Sequence, residues 1–148
     1  MKVQDIMTSS VSSVQPTDSI GNAAQAMADY DVGALPVLDG QKLVGIVTDR
    51  DIAIRAVASG IDAEKPVRLV MTEEVATCSA ETDVEDALEL MSNEQVRRLP
   101  VCNGDNEVVG IVALADAAHR DPDKREVAEA LAEISEPSGL HCQPPVFE

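Results

Sequence analysis

The sequence predicts an α/β fold made of two copies of one β-α-β-β-α unit, and three observations support this. Met7-Thr8 and Leu35-Pro36-Val37 return 64 residues later as Met71-Thr72 and Leu99-Pro100-Val101. Within each copy, apolar residues first follow helical spacing and then form short runs typical of strands. The core must be aliphatic, because hydrophobic residues make up 45% of the chain and aromatic residues only 1%. One copy alone is marginal in size, so the two are expected to pack sheet to sheet with pseudo-twofold symmetry.

The first copy begins with a predicted strand at Val11–Val14, which is followed by a helix whose N-cap is Thr17 or Asp18. Two strands joined by a Gly-containing turn follow at Ala34–Leu38 and Leu43–Val47. The helix that follows Val11–Val14 carries four apolar residues at helical spacing: Ile20, Ala23, Ala24 and Met27.

The second copy has the same order. A strand is predicted at Val75–Cys78, with Thr82 or Asp83 as the next N-cap, and two further strands at Leu99–Cys102 and Val108–Val112. Its first helix carries the corresponding apolar residues: Val84, Ala87, Leu88 and Met91.

The repeat predicts three parts of the chain: residues 1–62, 63–121 and 122–148. The first two are the repeats, and the third is a C-terminal helix with a flexible tail. Val127, Leu131 and Ile134, at i, i+4 and i+7, predict an amphipathic helix that packs back on the repeats or meets a partner. The tail after Pro137 is expected to be poorly ordered.

Charge and composition exclude several classes of protein. The net charge is −16, from 11 basic and 27 acidic residues among 148, so nucleic-acid binding and adhesion to an anionic membrane are not expected. The chain has no apolar signal core and no uncharged run long enough to span a bilayer, which predicts a cytoplasmic protein. Three cysteines without framework spacing, Cys78, Cys102 and Cys142, argue against a disulfide scaffold.

In the stretch GIVTDRD, residues 45–51, four polar residues follow a predicted buried strand, at the point where a helix is expected to begin near Asp49. Thr48 and Asp51 have the spacing of a capping box, which is a common structural arrangement. The same geometry suits a ligand, because free N–H groups at a helix start favour phosphate and the carboxylate accepts ribose hydroxyls. The two interpretations do not exclude each other. The second copy reads GIVALAD, which keeps Asp116 but has Ala113 in place of Thr48.

The chain resembles a tandem pair of CBS domains, often called a Bateman module. The resemblance rests on DIMTSSV with GALPVLDGQKLVGIVTDRD, and on LVMTEEV with RRLPVCNGDNEVVGIVALAD, and covers about residues 3–120. It implies a module that binds AMP, ADP, ATP or a related adenosyl ligand and regulates a partner protein. No catalytic domain accompanies the pair, so the chain is similar to small stand-alone bacterial CBS proteins and is not expected to be an enzyme.

The resemblance also implies roles for particular residues. In the main cleft, the Thr48 hydroxyl would lie near phosphate and Asp51 would bind ribose. Arg97 and Arg98 would reach the phosphates, because an Arg fork binds phosphate oxygens bidentately. The apolar walls around adenine are expected to come from three residues: Ile46, Val75 and Val96.

A second cleft, expected to be weaker, would contain Val32, Ile111 and Asp116. It lacks the hydroxyl, since Ala113 replaces Thr48, and it has Gly33 and Ala34 where the Arg pair would be. Arg50 would be its lone charge. The sequence therefore predicts one tight adenine nucleotide site and one weak or empty site.

Two further expectations concern partners and metals. The helix DIAIRAVASG, residues 51–60, is apolar on more than one face, which predicts a homodimer. No metal site is predicted. The main alternative is a stress- or redox-linked structural protein with little nucleotide affinity. Its zinc site would combine His141 and Cys142 with Cys78, Cys102 or His119. A hidden enzymatic activity is a third possibility.

Overall fold

In the computed structural model, residues 1–120 and 124–135 are described, and they form two compact units. The N-unit consists of residues 10–75 and 104–108. The C-unit consists of residues 1–9, 76–103 and the described residues from 109 on. The first residues of each repeat, here called its leading segment, belong to the unit that is otherwise formed by the other repeat. The leading segment of the first repeat, residues 1–9, lies in the C-unit, and that of the second, residues 63–75, lies in the N-unit.

The N-unit contains helix α1 (Ile20–Tyr30) and an antiparallel hairpin of strands β1 (Ala34–Asp39) and β2 (Lys42–Thr48). After β2, helix α2 begins as an α-helical turn over Asp49–Asp51 and continues as a π-helix over Ile52–Val57. The core is formed by side chains of α1, β1, β2 and the leading segment: Ile20, Ala23, Met27, Leu35, Val37, Val47, Val67 and Val70.

The predicted strand Val11–Val14 is shorter in the structure. Val14 alone makes a parallel bridge to Val37, through Val14 N to Pro36 O at 3.0 Å and Leu38 N to Val14 O at 2.8 Å. Pro16, two residues on, has no N–H to donate to a longer ladder. Likewise, the predicted strand Val75–Cys78 is a single bridge between Cys78 and Val101.

The C-unit contains helix α3 (Val84–Glu94), strand β3 (Arg98–Cys102), all but the first residue of strand β4 (Val108–Ala113), and helices α4 (Leu114–Arg120) and α5 (Lys124–Ile134). β3 and β4 form the second two-stranded sheet. Its core repeats the pattern of the N-unit with Val84, Ala87, Met91, Leu99, Val101 and Val112. Each repeat thus supplies a small sheet with helices, as predicted for a mixed α/β fold.

The N-cap of α1 differs from the prediction, whereas that of α3 is one of the two predicted residues. Ser19, and not Thr17 or Asp18, caps α1, since its Oγ accepts a hydrogen bond from Asn22 N at 3.0 Å. Asp18 instead accepts from Gln15 N in the preceding turn. Asp83 does occupy the N-cap position of α3, but its carboxylate binds Lys2 Nζ at 2.7 Å and makes no capping hydrogen bond.

Helix α5 packs back on α3, but with only two of the three side chains of the predicted stripe. Val127, Ala130 and Ile134 are buried, whereas Leu131 is 44% exposed. Gln95 Nε2 donates to Glu133 O at 3.2 Å beside this contact. Because α5 lies there, Leu88 of α3 is buried, while the corresponding Ala24 of α1 is exposed. The predicted flexible tail lies outside the described residues.

The leading segments bring backbone close to strands β2 and β4. Thr72 pairs with Ile46 in the N-unit at 2.8 and 2.9 Å, and Thr8 pairs with Ile111 in the C-unit at 2.8 and 2.9 Å. Gly45 permits the first approach, because a Cβ there would lie 2.8 Å from Thr72 O and from Met71 Sδ. Gly110 does the same beside Thr8 and Met7.

Candidate functional site

The polar residues after strand β2 form the capping box that their spacing predicts. Asp51 N donates to Thr48 Oγ1 at 3.0 Å, and Thr48 N donates to Asp51 Oδ2 at 3.0 Å. Both hydrogen bonds are partly buried. They fix the two side chains at the corner where β2 becomes α2, since each residue satisfies a backbone donor of the other.

The first backbone N–H groups of α2 are not free, which is a correction to the sequence reasoning about phosphate. Asp49 N donates to Gly33 O at 2.9 Å, and Arg50 N donates to Asp49 Oδ1 at 2.8 Å. With Asp51 N bound to Thr48 Oγ1, all three amides of the first turn have partners within the N-unit. A phosphate at this corner would also meet the exposed Asp49 carboxylate, so other groups must hold it.

Asp51 keeps one carboxylate oxygen for a further partner. Oδ2 is used by Thr48 N, while Oδ1 accepts no hydrogen bond from the residues that the structure describes and lies 3.8 Å from Arg55 Nε. The Asp51 side chain is 12% exposed. An oxygen in this position suits a hydroxyl donor, because a charged acceptor makes the stronger class of hydrogen bond.

The apolar residues Ile46, Val75 and Val32 of the predicted site also belong to the N-unit. Ile46, two residues before Thr48, is half-buried, and its backbone pairs with Thr72. Val75 follows three residues later and is also half-buried. The sequence reasoning missed Thr72, although its place in the duplicated Met-Thr pair marked it as a repeated element. Val32 is half-buried and its N–H caps α1 through Met27 O at 3.0 Å.

The remaining predicted site residues belong to the C-unit. Asp116 Oδ2 accepts from Ala113 N at 2.9 Å, so half of the capping box persists without a hydroxyl. Ile111 is half-buried on β4 and pairs with Thr8. The other three precede or begin strand β3: Val96 is half-buried, and Arg97 and Arg98 are exposed.

The two repeats share one backbone hydrogen bond but differ in the charge of the side chains beside it. In the N-unit, Asp49 N donates to Gly33 O, and the Asp49 carboxylate lies 3.1 Å from where a Gly33 Cβ would be. In the C-unit, Leu114 N donates to Arg97 O at 2.8 Å, and Leu114 is buried. An anionic side chain in one repeat is thus replaced by an apolar side chain beside a cationic residue in the other.

The cysteines and the histidine of the described residues form no metal centre. Burial raises the pKa of the Cys78 thiol to about 11 and also raises the pKa of Cys102, so both are protonated at neutral pH. His119 is exposed near the end of α4. Within residues 1–120 and 124–135, no group of three His, Cys, Asp or Glu side chains is placed to hold a metal ion. His141 and Cys142 lie outside the described residues.

The duplicated fold and the strand-to-helix corner define a tandem-repeat module. The family model of the CBS domain matches residues 3–57 and 67–123, so the chain belongs to the CBS domain family. The predicted resemblance is confirmed. A CBS domain-containing protein of Bacillus subtilis, YhcV, is 42% identical over 133 residues, which are 90% of this chain and 94% of the relative.

Solved CBS-pair structures share the fold. The hypoxic response protein I structure, with two coordinated zinc ions, has a TM-score of 0.76 at 35% identity and covers 82% of this chain and 100% of its own. The CBS pair of MJ0100 in complex with methylthioadenosine and S-adenosylmethionine has a TM-score of 0.73 at 31% identity, covering 80% and 98%. CBSX2 in complex with AMP has a TM-score of 0.70 at 29% identity, covering 80% and 93%.

Across the described ranges, no helix combines the length and the apolar character needed to cross a bilayer.

Proposed function

We propose that this protein is a regulatory module that binds an adenine nucleotide or a related adenosyl ligand and relays its level to a partner protein. The observation that carries the proposal is Asp51, whose Oδ2 is held by Thr48 N while Oδ1 is left for a ligand hydroxyl. Structural neighbours of the same family are complexes with AMP, methylthioadenosine and S-adenosylmethionine. A regulatory and not a catalytic role fits a chain that consists largely of the CBS pair.

The proposal gives a role to five of the residues predicted for the main cleft. Asp51 Oδ1 accepts a ribose hydroxyl, and Ile46 and Val75 contact the adenine. The first amides of α2 have partners already, so the phosphate contacts are assigned to Arg97 and Arg98. Their support is the family resemblance and the bidentate geometry of the guanidinium group.

A homodimer is the second part of the proposal. Ile54 is 54% exposed and Val57 is 74% exposed on the helix that follows Asp51, although both are large apolar residues. An exposed apolar helix face is typical of a surface that another protein covers. A second copy of the chain is the proposed occupant.

Thermal unfolding in the presence of candidate ligands tests the proposal. Adenosine, AMP, ATP, methylthioadenosine and S-adenosylmethionine should be compared with GTP and with zinc. A ligand at 100 times its Kd adds about 2.7 kcal/mol to the free energy of unfolding, which raises Tm measurably. Stabilisation by adenosyl compounds and not by GTP supports the proposal. Stabilisation by zinc alone would favour the alternative, a zinc-binding structural protein. The structure of hypoxic response protein I, with two coordinated zinc ions, is consistent with that alternative.

A further inference from the structure

Arg55 touches two separate parts of the N-unit. It lies one turn after Asp51, with Nε at 3.8 Å from Asp51 Oδ1. Its Nη1 donates to the carbonyl oxygens of Val70 at 3.4 Å and Met71 at 3.2 Å. The side chain is 52% exposed, so the ion pair by itself adds little to folding stability. The importance of Arg55 therefore lies in which groups it connects.

Those groups belong to two different parts of the proposed nucleoside site. Asp51 is the proposed ribose acceptor. Val70 and Met71 lead directly into Thr72, whose backbone pairs with Ile46, the proposed adenine wall. One rigid guanidinium thus joins the ribose acceptor to the backbone beside the adenine wall, since its donors point in fixed directions from one plane.

We infer that Arg55 is a positioning residue, which holds Asp51 in a fixed relation to residues 70–72 and so sets the distance between ribose acceptor and adenine wall. The inference rests on the proposed function and adds a residue to it that acts through Asp51. Displacing a charged acceptor by a fraction of an ångström weakens a hydrogen bond to it, because such bonds depend on both distance and angle.

The second repeat supplies a matched control. Arg120 has the position of Arg55, and its Nη1 donates to Asp5 O at 3.1 Å. In the part of the chain that the structure describes, an ion pair from this arginine to the preceding acidic residue is present for Arg55 and Asp51 but not for Arg120 and Asp116. Arg120→Ala therefore removes the same kind of backbone contact without touching Asp51.

The experiment measures Kd for adenosine and 2′-deoxyadenosine by calorimetry in the wild type, Arg55→Ala, Arg55→Lys and Arg120→Ala. The ratio of the two Kd values reports ribose recognition, which a merely structural loss leaves unchanged. Arg55→Ala is expected to reduce the ratio about fivefold, the upper range for an exposed charge pair. Arg55→Lys should be intermediate, because it keeps the charge but lacks the fork, and Arg120→Ala should match the wild type.

Different outcomes contradict different statements. A wild-type ratio in Arg55→Ala, in a protein that still binds adenosine, overturns the role of Arg55 alone. If Arg55→Ala does not fold, Arg55→Lys decides in the same way, and a wild-type ratio in that variant overturns the inference. A wild-type protein that binds no adenosyl ligand overturns the proposed function and the positioning role together.

Discussion

At the scale of single residues, the capping and the ligand-binding interpretations of the TDRD sequence use the two different oxygens of one carboxylate, that of Asp51. Asp51 uses Oδ2 to hold Thr48 N, and this hydrogen bond fixes the direction of Oδ1. A structural cap is thus what orients the proposed ribose acceptor. A substitution of Asp51 is therefore expected to change both ligand affinity and folding stability, and the two effects have to be measured separately.

Asp51→Ala should weaken adenosine binding by about 1.5–3 kcal/mol, the range for a hydrogen bond to a charged group. The loss of the cap should lower the free energy of unfolding by only about 1 kcal/mol. Calorimetry and urea denaturation measure the two effects separately. Asp86→Ala, an exposed residue on α3, is the control. Unchanged adenosine affinity in a folded Asp51→Ala protein would refute the ribose role.

Asp49→Asn should raise the affinity for AMP relative to adenosine. The Asp49 carboxylate is exposed next to Thr48, so its removal lowers the repulsion that a nearby phosphate meets. The AMP-to-adenosine ratio of Kd values is the measurement, at low ionic strength where screening is weak. Asp86→Asn makes the same change in net charge on α3 and should leave the ratio as it is. Equal shifts in both variants would show that only net charge matters.

At the scale of elements, the helices and paired strands could be predicted from the sequence, because the internal repeat shows each helix and strand pattern twice. The hairpins and the helices α1 and α3 lie within a few residues of the predicted bounds. The N-cap of α1 and the buried face of α5 differ from the prediction, because both depend on contacts made only in the folded protein. The sequence does not single out Ser19 as the N-cap, because Thr17 and Asp18 offer the same kind of side-chain oxygen. Leu131 was assigned to the buried stripe of α5, whereas Ala130 is buried, since only the packing on α3 decides which face turns inward.

The site was predictable to a similar degree. The spacing of Thr48 and Asp51 predicted their reciprocal hydrogen bonds, which are local. The partner of Asp49 N is Gly33 O, which is distant along the chain, and no pattern in the sequence indicated it. The expectation of free amides at the start of α2 was therefore wrong. Roles that depend on a bound ligand stay predictions.

Gly45→Ala should destabilise the N-unit by about 1–3 kcal/mol, the cost of overpacking. The new methyl group would lie 2.8 Å from Thr72 O, and that oxygen accepts the Ile46 N–H. Gly104→Ala is the matched control, because a Cβ there meets nothing within 4 Å. Chemical denaturation compares the two variants. Similar stabilities for both would show that the Thr72 segment is free to move away from β2.

At the scale of the whole molecule, the proposed dimer depends on one apolar surface. Ile54→Asp should give a monomer or aggregates, because it places an unpaired charge in the proposed contact. Leu131→Asp alters a similarly exposed apolar residue on α5 and should leave the assembly unchanged. Light scattering at several concentrations measures the mass. A wild-type protein that is monomeric at high micromolar concentration would refute the dimer.

The differences between the repeats lead to a prediction about stoichiometry. Thr48 supplies a hydroxyl where the second repeat has Ala113, and Arg97 with Arg98 stand where the first repeat has Gly33 and Ala34. The groups suited to a nucleotide are therefore not duplicated, although the fold is. Since each charge-assisted hydrogen bond contributes about 1.5–3 kcal/mol and 1.4 kcal/mol is tenfold in Kd, any second site should be at least about tenfold weaker.

Calorimetric titration with AMP should accordingly give one tight site per chain. The double variant Arg97→Ala with Arg98→Ala should weaken AMP and ATP far more than adenosine, because the guanidinium groups are assigned to phosphate alone. Arg68→Ala with Arg125→Ala removes the same total charge at two exposed residues outside the proposed site, and separates this effect from a general loss of positive charge. Two equal sites per chain would contradict the asymmetry of the repeats. An equal loss for adenosine and AMP would instead show that Arg97 and Arg98 support the binding residues without contacting phosphate.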